Sequence, residues 1–101
     1  RKSAVDDFEA VAAVRMLRDA GRSRDAITQA EQWLRALPRS PVLADALFDL
    51  YSEDGWDEEA LALAITHYGY DPNPAWIEKL GRLSLPSAKA QIKVWKKQQA
   101  A

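Results

Sequence analysis

The apolar residues of this chain recur at helical rather than alternating spacing. Ala26 and Ala30 lie four apart on one face, as do Ala60 and Ala64. Leu85, Ala88, Ile92 and Trp95 form a stripe along the last segment. Six helices are predicted. The first runs from about Val5 to Ala20, and the second is "RDAITQAEQWLRAL", residues 24–37. The third runs from about Pro41 to Asp54, and the fourth is "EEALALAITHY", residues 58–68. The fifth opens at Pro74 with "PAWIEKLGRL", and the sixth runs from about Ser87 to Gln98. Punctuating residues set these limits. Gly21 and Gly55 follow the first and third helices, where a left-handed residue is wanted. Ser23 and Asp57 are placed to cap the helices that follow, with Glu58 and Glu59 suiting the positive end of the dipole. Pro38 and Pro72 stop the second and fourth helices. Ser40-Pro41 and Asn73-Pro74 each read as an N-cap followed by proline at the first helical position.

Shifting the chain by 34 residues brings these signals into register. Gly21 falls on Gly55, Ala26 on Ala60, Ala30 on Ala64 and Pro38 on Pro72. Ala10 falls on Ala44 and Ala12 on Ala46, with similar pairs between them, such as Leu17 with Tyr51. Residues 7–40 thus form one repeat and 41–74 a second. Residues 75–101 depart from the period, with Ser84, Leu85 and Pro86 interrupting the third unit about one turn early. This divergent unit is expected to cover the open end of the second, as repeat arrays require.

The period, the pattern G-x-x-x-D-A-I at Gly21 to Ile27, the pattern G-W-D-E-E-A-L at Gly55 to Leu61, and the closing Pro38 and Pro72 resemble the tetratricopeptide repeat family. The resemblance covers about Asp7 to Pro74. The chain departs from the family pattern in placing Val14 and Phe48 where a small residue is usual. It also has Trp33 and His67 where alanine is favoured. The resemblance implies an all-α helical-hairpin array, coiled as a right-handed superhelix. It also implies a non-enzymatic scaffold that binds a peptide or protein in a groove lined by the first helix of each pair. By position, that groove would present Phe8, Val11, Arg15 and Arg18, then Val42, Asp45, Asp49 and Ser52, then Trp76 and Lys79. Family members that grip a terminal carboxylate use a lysine and asparagine clamp. The matching positions hold Val11, Arg15, Ala46, Trp76 and Leu80, so that partner class is not expected.

Composition adds limits. The 101 residues suffice for one small domain, net charge is −1, and there is no cysteine. Disulfides and thiolate zinc sites are excluded, and nucleic acid is not an expected partner. The chain begins at Arg1, so a fragment of a larger protein is expected. Rich Ala, Arg and Leu usage suggests a high-GC genome and a module of a bacterial assembly. The expected location is the cytoplasm, with the periplasm or a membrane-anchored position as alternatives. Charge is unevenly spread. Residues 40–78 hold nine acids and no Lys or Arg, and residues 79–101 hold six bases and no acid. One reading is mutual neutralisation, with Arg15 or Arg18 facing Asp45 or Asp49. Another is an acidic face of Asp45, Asp49 and Glu53 that attracts a basic partner. Two further alternatives are stacking of acidic and basic ends of successive chains, and membrane-surface or nucleic-acid attachment through Lys89, Lys93, Lys96 and Lys97.

The densest cluster of reactive side chains is "AITHYGYDP", residues 64–72. Its His67 is the sole histidine, so a multi-histidine metal site is impossible. No serine is placed for a triad with it, the carboxylates form no evident acid–base pair, and there is no glycine-rich phosphate loop. No catalytic, metal or cofactor residue is assigned. In the repeat register His67 matches Trp33 and Tyr68 matches Leu34. The cluster is therefore expected to be the packing end of a helix that meets the third unit, with Gly69 to Pro72 ending it. Trp33 and Trp95 are expected in the core. Trp76 is expected either at the groove or beneath the last helix, and Trp56 either as a staple across its turn or as an exposed contact.

Overall fold

The computed structural model describes residues 6–101, so Val5, the expected start of the first helix, lies outside them. Six helices follow in order: α1 (Asp7–Asp19), α2 (Ser23–Ala36), α3 (Pro41–Glu53), α4 (Asp57–Tyr70), α5 (Ala75–Leu80) and α6 (Pro86–Ala100). No strand occurs among the described residues. The chain is all-α.

Local chemistry explains most of the boundaries. Asp6 caps α1 by accepting from the Glu9 N–H at 2.9 Å. Ser40 caps α3 by accepting from the Leu43 N–H, and Pro41 takes the first helical position. Gly21 and Gly55 adopt φ of +80° and +78°. Around each, the chain closes in the same way. The Arg22 N–H donates to Leu17 O and the Gly21 N–H to Arg18 O. The Trp56 N–H donates to Tyr51 O and the Gly55 N–H to Ser52 O. This is the double-bonded Schellman closure, with glycine at the left-handed residue. Its apolar clasp in the second unit is Trp56 stacked on Tyr51, 5.8 Å between ring centroids, which places Trp56 as the staple.

Two caps assigned from sequence are not made. Neither Ser23 nor Asp57 caps its own helix; each is the first residue of it. Ser23 Oγ instead donates to Asp54 at 3.0 Å, and Asp57 accepts from the Ser84 N–H at 3.3 Å. These matched positions tie each turn to the next unit. α4 also runs through Gly69 to Tyr70 before Asp71 turns extended ahead of Pro72. Gly69 is therefore helical and does not begin the stop.

α1 packs on α2 and α3, α2 on α3, α3 on α4, α4 on α5, and α5 on α6. Ala26, Ala30, Ala60 and Ala64 are all fully buried, which lets these helices approach closely. Val14 and Phe48, bulky where a small residue was expected, are also fully buried and fill the core. α5 has only six residues. The interruption falls at Gly81, earlier than Ser84, and α6 then lays Ala88 and Trp95 against the rest.

Candidate functional site

The residues expected to line the first-helix face have varied fates. Phe8 and Arg15 are exposed. Val11 is buried with Ala10, Leu43 and Ala46, and so supports α3 rather than facing outward. Val42 is half-buried against that same cluster. Trp76 is 8% exposed; it packs edge-on against Phe48 at 5.9 Å and beside His67 at 6.2 Å. Its place is against α3 and α4, in the same core cluster as Ala88 and Trp95 of α6, and not in an open groove. Ser52 is half-buried, donating to Asp49 O.

The charged members form a ladder of internal pairs. Lys79 is buried and its ammonium meets Asp45 and Asp49, the latter at 3.1 Å. Its Nζ also stands 5.1 Å from the Phe48 ring centroid. Arg82 reaches Asp49 at 3.3 Å, and Arg18 reaches Glu53 at 3.6 Å. Arg18 therefore faces Glu53, and the partners of Asp45 and Asp49 come from α5 and the turn after it. The buried ammonium gains from two carboxylates and two aromatic faces together. No buried side-chain polar atom among the described residues lacks a partner.

A different surface stays open. Between α2 and α4 runs a cleft of about 550 Å³ whose floor is Leu47 and Tyr51 of α3. Leu34, Ala62 and Leu63 give it apolar walls, and Glu31, Arg35 and Glu59 stand on its rims. The Tyr51 hydroxyl donates to Glu31 at 2.5 Å, tying floor to wall. Burial, then this bond to an anion, push the Tyr51 phenol well above its ordinary range, so it stays a neutral donor. Sequence reasoning did not find this cleft. Its residues belong to three helices and share no single periodicity.

His67 closes one end of the cleft and also borders a smaller hollow of about 210 Å³ with Arg39, Tyr70 and Asp71. Burial lowers its pKa from the ordinary 6.5. Its neighbour Tyr68 stacks on Trp95 at 4.0 Å and accepts from Gln99 at 2.8 Å. The end of α4 therefore meets the third unit. Among the described residues, no set of three His, Asp or Glu side chains converges as metal ligands would, and no helix is long and apolar enough to cross a membrane.

No family model matches the chain, and neither a curated protein nor a solved structure matches it.

Proposed function

We propose that this chain is a non-catalytic helical-hairpin scaffold of the tetratricopeptide type, which holds a protein or peptide partner in the cleft between α2 and α4. One observation carries the reading: an open, apolar-floored cleft with Glu31 and Glu59 on its rims, while the acids of the first-helix face are engaged by Lys79, Arg82 and Arg18. Neutralised carboxylates attract a basic segment weakly. The matching partner is a short helical segment that presses an apolar side chain onto Leu63 and Leu47 and sets a lysine or arginine beside Glu59, Arg35 taking an acid or carbonyl of the same segment.

A displayed peptide library tests this. Selected peptides are expected to pair apolar residues with Lys or Arg. Leu63→Asp, at the cleft wall, should weaken them by about tenfold or more, as loss of a central apolar contact does. Glu53→Ala, on the first-helix face, should leave them unchanged. If Leu63→Asp has no effect and Glu53→Ala or Arg15→Ala abolishes binding, the partner lies on the first-helix face instead.

A further inference from the structure

Among the described residues, the most exposed large apolar side chains lie on α1. Phe8 is 69% and Met16 72% exposed, and Ala12 between them is exposed as well. These three residues are spaced four apart and so share one face. The repeat shows what such a face is for. Thirty-four residues on, the same positions of α3 are Val42, Ala46 and Leu50. Ala46 is 3% and Leu50 2% exposed, and Val42 packs on the cluster of Ala10, Val11 and Leu43. In the second unit, therefore, the face is covered by the helical pair before it. In the first unit it is open.

The other end of the packing order carries a complement. α6 turns Ala88, Ile92 and Trp95 inward, as does Leu85 just before it, and leaves Ala90 and Val94 outward, Val94 being 48% exposed. Its four lysines, Lys89, Lys93, Lys96 and Lys97, are exposed, and the helix has no acid. The ion pairs among the described residues use Arg18, Arg22, Lys79 and Arg82 as their cations, and none uses an α6 lysine. Beside the α1 face stand three exposed acids, Asp6, Glu9 and Asp19, the last shared with Arg18 at 3.3 Å, against the one exposed base Arg15. α1 packs on α2 and α3, while α6 packs on α5 and, through Trp95, on Tyr68 of α4. The two faces thus sit at opposite ends of one chain and can meet only between chains.

We propose that the Phe8–Ala12–Met16 face of α1 docks the Ala90–Val94 face of α6 from a second copy of this chain, with Lys93 and Lys97 set against Glu9 and against Asp19, which keeps Arg18 as its other partner. The contact is head-to-tail, with different faces on the two partners, and it extends the order of packed helices from one chain into the next. It is independent of the cleft between α2 and α4.

Sedimentation velocity on the whole chain tests it. The wild type should show a mean mass that rises past the dimer with concentration and falls as salt is raised, because the lysine–acid contacts are screened. Two double variants block one end each: Phe8→Ser with Met16→Ser, and Lys93→Glu with Lys97→Glu. All four positions are exposed, so both should keep the wild-type circular dichroism. Each alone should be a monomer, and an equimolar mixture should form dimers and stop there, since one competent end remains on each partner. A wild type that stays monomeric up to about 1 mM at low salt overturns the proposal. So does a mixture that stays monomeric. Undiminished self-association of the lysine variant also overturns it, because the contact would then join α1 to α1.

Discussion

The junction between the first and second units and the junction between the second and third solve one problem with different materials. The first has an aliphatic, close core, with its polar bonds, Arg18 to Glu53, Ser23 to Asp54 and Tyr51 to Glu31, kept to the margins. Ala10, Val11, Leu43 and Ala46 pack together, and Trp33 and Leu34 of α2 stay half-buried at its margin. The second is aromatic and polar. Phe48 and His67 meet Trp76, Tyr68 meets Trp95, Lys79 reaches across to Asp45 and Asp49, and Gln99 reaches Tyr68 and the Pro72 carbonyl. The cause lies in the third unit. α5 has six residues against thirteen in α3, so it cannot cover its neighbour with a full apolar stripe. Wide rings and long polar side chains span the gap. This answers why the second repeat has His67 and Tyr68 where the first has Trp33 and Leu34. Those two positions carry the shortened unit.

Substitutions should separate the junctions. The largest effect is expected at Phe48, which is fully buried and touches both α4's partner Trp76 and the common core. Phe48→Ala should cost about 3–5 kcal/mol in urea unfolding. Trp95→Ala should act more locally. Amide exchange should quicken across α6 while α3 keeps its protection, and equal quickening in both would mean that the third unit is no separate layer. Asp45→Ala with Asp49→Ala should cost about 3 kcal/mol, because it leaves the buried Lys79 without an anion. Lys79→Met should stay within about 1 kcal/mol of wild type, since the carboxylates left behind reach water. Reversed order of those two variants would show that the ladder is held from the acidic side.

Two smaller effects sharpen the likeness between the repeats. Gly21→Ala and Gly55→Ala should each cost about 1 kcal/mol, from the left-handed backbone alone, since neither added Cβ would meet a neighbour within 4 Å. The smallest effect is a pH dependence confined to the second junction. His67 has a folded pKa below 6.5, so the unfolded chain takes up its proton first as pH falls. Its contribution is whole above pH 6.5 and is lost as pH falls from there towards the folded value. Arg39, Asp71 and Lys79 also lie near this junction. Thermal melts of His67→Gln should lack the decline that sets in as pH falls below about 6.5.

Much of the architecture was legible because it rests on neighbours within a turn. A glycine forced to positive φ, a serine beside the N–H three residues on, and a proline that cannot continue a helix act whatever else surrounds them. The candidate site was less legible. Val11 and Lys79 were placed on an open face by repeat position alone, and packing buried both; Trp76, left between groove and core, is buried too. The cleft went unread because Leu34, Leu47 and Leu63 become neighbours only when α2 and α4 stand apart over α3.

The sequence by itself determined six helices, their limits to within a few residues and the meeting of α4's end with the helices that follow it. Only the tertiary structure decided which charges pair and which surfaces stay open. Ser23 and Asp57 could have capped their own helices, and instead they reach Asp54 and Ser84 in the next unit. Asp45 and Asp49 could have met arginines of α1, and instead they hold Lys79. The physical reason is one of range. Backbone closure is settled by groups a few residues apart. Ion pairs and clefts depend on ångström distances between helices some thirty residues apart in the chain, and only side-chain packing sets those distances.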